Sequence, residues 1–227
     1  MKEENPKNFV PQFFNHTSGS YDKIVQWTTF GKDSLWKNKI LEQLSSEESV
    51  LDLACGTGIL TRQIAAKIPK ATIVGVDITP SYLGVAREKS ISNKNISFVE
   101  KDAENLSLGR KFDCITSSYL PKYCSPEILV KICFDHLNDG GKIILHDFNY
   151  PKNKSVQKLW NLYFKVLLAM GIFIPSWSNV FEKLPCLIRS SDWLKEYERV
   201  MKNYGLITSV QKLTWGCSAI VTGTKIV

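Results

Sequence analysis

The chain has 227 residues, 44% of them hydrophobic and 22% charged, enough for one globular α/β domain with additions. Its six cysteines (Cys55, Cys114, Cys124, Cys133, Cys186 and Cys217) form no C-x-x-C pair and no cluster with histidine, which speaks against a metal centre or a disulfide framework and for reduced thiols in a cytoplasmic setting. The net charge of +7 is spread over lysines without a basic run, and the Met-Lys-Glu-Glu-Asn start has no apolar h-region, so neither a nucleic-acid partner nor secretion is expected.

Residues 1–45 precede the first buried-strand pattern. Phe9, Val10, Phe13 and Phe14 share a helical face, residues 15–20 are a polar break, and Tyr21 opens a second helical pattern. Phe30-Gly31-Lys32-Asp33 reads as a turn, and Ser34 to Leu44 as a third amphipathic helix carrying Trp36, Ile40, Leu41 and Leu44. The segment is too short to be a domain. It is expected to cap a cleft formed by residues 46–227, with its aromatic residues mostly packing.

The organising stretch is Ser49 to Thr61, SVLDLACGTGILT. Val50, Leu51, Leu53 and Ala54 form the short apolar run of a buried parallel strand, which breaks at Gly56-Thr57-Gly58 into a helical pattern. A strand, a glycine turn and a helix N-terminus make the usual ligand position on an open α/β sheet. Thr61 stands where a dinucleotide fingerprint has its third glycine, and Asp52 adds negative charge near the strand end, which disfavours a pyrophosphate. A ligand with an ammonium and a sulfonium but no phosphate gains from that charge, and S-adenosyl-L-methionine is such a ligand.

Two further strand ends carry acids. Residues 71–76, ATIVGV, run into Asp77 and Ile78, roughly 20 residues past the glycine turn, where an acid meets a ribose diol. Residues 96–101, ISFVEK, run into Asp102 and Ala103; an acid there can accept from an adenine amino group while small Ala103 leaves room for the ring. A lone strand-end Asp is more often a cap or turn former, so it is the three together that mark a cofactor site.

A helix begins near Pro80, and the fourth strand, residues 112–119, brings its carboxyl end, Ser117-Ser118-Tyr119, toward the reacting end of the cofactor. A helix from about Pro126 to Leu137 stops at Asp139-Gly140-Gly141, and the fifth strand, KIILHDF, delivers His146 and Asp147 to the same edge. Residues 155–174 are the most apolar part but too short and broken to span a bilayer. They cover the sheet or, with the rest of 155–190, form a lid over an apolar substrate that touches membrane. A helix capped at Ser191-Asp192-Trp193 runs to Asn203, and residues 206–213 and 217–226 read as a closing hairpin. The pattern predicts a Rossmann-like three-layer α/β sandwich whose seven-stranded, mostly parallel sheet ends in an antiparallel hairpin.

The glycine stretch closely resembles the first motif of the class I methyltransferases, and most of the chain resembles the menaquinone/ubiquinone biosynthesis C-methyltransferase family. FFNHTSGSYDKI is similar to that family's opening Phe…Tyr-Asp signature, FGKDSLWKNKIL to its Phe-Gly…Leu-Trp-Arg stretch, KDAENLSL to its Asp-Ala-Glu-x-Leu-Pro element, and HDFNYP to its Glu-Phe-Ser-x-Pro. LPCLIRSSDWLKEYERVMKNYGL and LTWGCSAIVTGTK resemble its two closing segments. The resemblance implies a class I methyltransferase fold, S-adenosyl-L-methionine as cofactor, and C-methylation of a prenylated quinol. It implies cofactor contacts at Tyr21, Asp52, Ala54, Gly56, Gly58, Thr61, Asp77, Ile78, Asp102, Ala103 and Ser118. One departure stands out: where the family has Ser-Phe-Gly-Leu-Arg-Asn, this chain has Ser118-Tyr119-Leu120-Pro121-Lys122-Tyr123. Lys122 keeps the charge but not the bidentate fork of Arg.

Methylation of a ring carbon needs alignment of donor and acceptor and removal of a proton from a neighbouring hydroxyl. His146, Asp147 and Lys122 are the catalytic candidates by position, with a satisfied structural histidine an equal reading of His146. Other readings are an O- or N-methyltransferase of another small molecule, a non-catalytic cofactor-binding partner subunit and, more distantly, an NAD-dependent reductase. A homodimer and peripheral membrane contact stay open.

Overall fold

The computed structural model describes residues 6–14 and 16–226, apart from the side chain of Gln12; the first five residues of the expected 1–45 cap, and Asn15 of its signature, lie outside them. Seven strands form one sheet in the order β3-β2-β1-β4-β5-β7-β6: β1 Ser49–Leu53, β2 Thr72–Asp77, β3 Ile96–Glu100, β4 Phe112–Ser118, β5 Leu137–Phe148, β6 Ile207–Leu213 and β7 Ser218–Thr224. The first five run parallel, and β7 runs antiparallel between β5 and β6. The order reverses at β1, so its carboxyl end and that of β4 open the crevice in which open sheets take ligands.

Alternation along the strands feeds two apolar layers. Val50, Ile144 and Ile220 pack with α3 (Lys32–Leu41) and α4 (Ile59–Lys67). Their chain neighbours Leu51, Ile143, Leu145, Ala219 and Val221 pack with α6 (Pro126–Asp135) and α9 (Trp193–Asn203). Between β2 and β3 runs α5, Pro80–Lys89. A third apolar cluster joins α1 (Phe9–Phe14) and α2 (Tyr21–Thr28) to α7 (Lys154–Met170) and α8 (Pro175–Ser190) above the carboxyl ends of the strands.

The differences from the sequence reading have local causes. The third N-terminal helix starts two residues earlier and stops at Leu41, with Leu44 buried in the turn after it. Asp192 does not cap α9: its carboxylate pairs with Lys195, and Ser191 Oγ instead accepts from Trp193 N at 3.3 Å. Helix α8 is not expected from the sequence, in which Gly171 and Pro175 limit the helix before it; Pro175 stands in the first turn of α8, where it costs no hydrogen bond.

Candidate active site

The cleft is built where β1 turns into α4. Ala54, Gly56 and Gly58 have φ of 51°, 57° and 76°, so this turn is left-handed at three positions, the region that favours glycine. Asp77 fixes it from the neighbouring strand. Its Oδ2 accepts from Gly56 N at 2.8 Å and its Oδ1 from Thr79 N at 2.8 Å, while burial pushes its carboxyl pKa up.

Above the turn lies a cavity of about 290 Å³. Asp77, Ile78 and Tyr82 border it after β2, Asp102 and Ala103 after β3, and Ser118, Tyr119 and Leu120 after β4. Lys7, Val10, Phe14 and Tyr21 come over it from the N-terminal segment. Among the polar ties that hold that segment in place, Lys7 pairs with Asp102 and, at 2.9 Å, with Glu104; Thr57 Oγ1 donates to Asp22 at 2.5 Å; and Thr17 Oγ1 and Tyr82 Oη share a hydrogen bond of 2.7 Å. Tyr21 is braced by Trp177 of α8, its ring stacked at 6.0 Å.

A second chamber of about 30 Å³ continues the first past Tyr21, Ala54, Gly56, Ser118 and Tyr119, which border both. Asp52, Thr57 and Lys37 complete its charged and polar lining. Asp52 is 1% exposed and accepts from Thr61 Oγ1 at 2.6 Å and Thr116 Oγ1 at 3.0 Å. Burial raises its carboxyl pKa to about 6, against the opposing pull of those hydroxyls and of the Lys37 charge. Thr61 therefore reaches the site through Asp52, and Gly58 acts through the turn, its φ of 76° opening α4. The other cofactor candidates, Tyr21, Asp52, Ala54, Gly56, Asp77, Ile78, Asp102, Ala103 and Ser118, border one chamber or both.

His146, Asp147 and Lys122 also come together, but beneath the floor: among the described residues, none of the three borders either chamber. His146 is fully buried, with Nδ1 2.8 Å from Ser118 Oγ and Nε2 2.7 Å from Ser218 Oγ. Ser218 Oγ gives its single hydrogen to Asp147 O at 3.2 Å, so it accepts from Nε2–H; Nδ1 of the neutral ring then accepts from Ser118. Burial, and the charges of Lys37 and Lys122, hold the imidazole pKa well below its ordinary value. Lys122 Nζ donates to Asp147 Oδ1 at 2.7 Å and to Tyr119 O at 2.8 Å, while its backbone N–H reaches Asp147 Oδ2 at 3.1 Å. Burial lowers the Lys122 pKa and raises that of Asp147.

Lys37 and Asp33 carry no mark as site residues in the sequence, whereas Tyr119 is expected at the strand end that faces the cofactor. Tyr119 has a φ of 73°, uncommon for a side-chain-bearing residue, and borders both chambers. Its hydroxyl donates to Asp33 Oδ1 at 2.7 Å, and Asp33 pairs with Lys37 one helical turn on.

Comparison with known proteins agrees with this geometry. A family model described as the ubiE/COQ5 methyltransferase family matches residues 1–225. The chain is 29% identical over 226 residues to the ubiquinone/menaquinone biosynthesis C-methyltransferase UbiE of Saccharophagus degradans, covering 95% of this chain and 91% of that protein. It is 29% identical to the protein of the same name from Pseudomonas aeruginosa, covering 95% and 88%. Among solved structures, the plantazolicin methyltransferase BpumL in complex with SAH superposes with a TM-score of 0.64 at 14% identity, over 97% of this chain and 95% of that one. The pyocyanin biosynthetic protein PhzM does so with 0.67 at 15%, over 99% and 62%. At these identities the structures speak to the fold alone.

Proposed function

The chain belongs to the ubiE/COQ5 methyltransferase family, and from that premise we propose that it transfers a methyl group from S-adenosyl-L-methionine to a ring carbon of a prenylated quinol. The observation that carries the donor is the two-part cleft at three acid-bearing strand ends. Asp77 suits the ribose hydroxyls, Asp102 the adenine amino group, Ile78 and Ala103 the faces of the ring, and the small chamber the amino-acid end. The residues fit the group: the left-handed glycine turn lets backbone approach a ligand closely, and the lining offers carboxylates where a phosphate carrier needs cations. The bound donor supplies an electrophilic methyl; the protein supplies alignment and exclusion of water. The acceptor rests on the relatives, which are named as C-methyltransferases of ubiquinone and menaquinone biosynthesis.

In this reading residues 1–45 cap the donor, and α7 with α8 brace the cap through Trp177 and Tyr21 rather than enclosing the acceptor. His146, Asp147 and Lys122 position the loop after β4 and the Ser118 hydroxyl. The outward face of α7 is apolar: Leu159, Leu162 and Val166 are half exposed or more, and Phe173 beyond it is 85% exposed. Lys152, Lys154, Lys158 and Lys165 lie along this stretch, and no acid occurs between Tyr150 and Phe181. That chemistry suits peripheral contact with an anionic lipid surface, from which a prenylated acceptor would be drawn. Among the described residues no helix is long and apolar enough to cross a membrane.

The test is incubation with methyl-labelled donor and a panel of prenylated quinols, simple phenols and amines. Label on a ring carbon of a prenylated quinol is the expected product. Label on oxygen or nitrogen would replace the reading, and none with any quinol would remove it.

A further inference from the structure

The lining of the small chamber carries opposite charges. Asp52 and Lys37 both border it, and they are 1% and 4% exposed. The hydroxyls of Thr61 and Thr116 support Asp52. The Lys37 ammonium has three hydrogens to give, of which Asp33 takes one. The Tyr119 ring centroid lies 5.0 Å from Nζ and covers another flank. Asp33 Oδ1 also accepts from the Tyr119 hydroxyl at 2.7 Å, so helix α3 and the β4 loop fix the ammonium jointly. A buried ammonium with donors to spare, aimed by two partners and bordering a ligand chamber, is built to receive an anion.

We infer that Lys37 binds the carboxylate of the donor's amino-acid end, with Asp33 and Tyr119 as its positioning residues. The inference rests on S-adenosyl-L-methionine being the donor. A free amino-acid end is a zwitterion, and it needs an acid and a base within one chamber. Asp52 offers the first to the ammonium, and Lys37 offers the second. The Lys37 charge is close enough to Asp52 to offset part of the effect of burial there, as two groups facing one zwitterion require. An adenosine without the amino-acid end would fill the large cavity and leave Lys37 unused.

Calorimetric titration of the unaltered protein tests this with three ligands: S-adenosyl-L-methionine, its decarboxylated form, and 5′-methylthioadenosine. Loss of the carboxylate should weaken binding tenfold or more. Lys37→Met should bring the intact donor down to the decarboxylated level and leave methylthioadenosine where it was, while Lys37→Arg should keep most of the preference. Should Lys37→Met alone fold poorly, Asp33→Asn with Lys37→Met leaves no unpaired buried charge and carries the same expectation. Equal binding of intact and decarboxylated donor by the unaltered protein would overturn the inference, and so would a Lys37→Met chain that loses methylthioadenosine equally. An unaltered protein that binds none of the three removes the donor reading itself, a different outcome from either.

Discussion

Lys122 and Asp147 form an ion pair of 2.7 Å in which both side chains are sealed from solvent, and it ties the loop after β4 to the end of β5. The acid also accepts from the backbone N–H of Lys122 and of Phe148, and the ammonium lies 4.5 Å from the Tyr123 ring centroid. Such a pair is far more costly to break than to replace whole.

Lys122→Ala should therefore lower stability by about 3–5 kcal/mol, because it strands a buried carboxylate. Lys122→Met with Asp147→Leu should recover most of that loss. Urea unfolding of the single and double variants decides it. A single variant as stable as the parent would show the pair to be solvated.

Asp77 serves the turn as well as the proposed ribose. Asp77→Ala orphans the N–H groups of Gly56 and Thr79, so the ligand-free chain should lose about 1–3 kcal/mol. Donor binding should weaken as well. Thermal unfolding with and without S-adenosylhomocysteine separates the two effects. Unchanged melting with weakened binding would confine Asp77 to the ligand.

Asp52 gives binding a pH dependence. Its carboxyl pKa is raised to about 6, so below that pH the ligand-free chain holds it increasingly protonated. A cationic ammonium prefers the ionised form. Donor affinity should then fall by up to about tenfold per pH unit as pH drops below about 6. Asp52→Asn should flatten that slope and bind weakly throughout. A parent whose affinity is level from pH 7 to pH 5 would place the ammonium elsewhere.

The outward face of α7 is open to direct test, because Leu162 is 58% and Phe173 85% exposed. Leu162→Glu with Phe173→Glu should leave the melting temperature within a degree or two, since exposed substitutions cost little. Sedimentation with anionic vesicles should drop severalfold, as should turnover of vesicle-borne quinol, but not of a short-tailed one. Unaltered vesicle binding would leave that face without a lipid role.

Much of this was legible because periodicity and strand-end chemistry are local. The apolar runs at residues 50–54, 71–76 and 142–145 placed the strands, and Asp52, Asp77 and Asp102 marked the cleft from their positions alone. The Lys37 and Asp33 pair was not legible: with Asp33 read in the turn and the helix begun at Ser34, the two do not share a helical face until α3 is seen to start at Lys32. In the fold Tyr119 lies against both, its hydroxyl on Asp33 and its ring beside Lys37. His146 was ambiguous as well. Its partners are Ser118 and Ser218, the latter 72 residues further along, and no local pattern announces a hydroxyl on each side.

The position of β7 has a consequence for folding. This strand follows the other six in the sequence and yet is an inner one, flanked by β5 and β6. It carries Ser218, which fixes the ring of His146, which in turn aims the hydroxyl of Ser118 in the cleft wall. Until residues 218–224 pair, β5 lacks its antiparallel neighbour and Nε2 of His146 its hydroxyl partner, so the Ser118 wall of the cleft is set only as the sheet closes. That wall thus depends on a strand pairing far along the chain from the glycine turn.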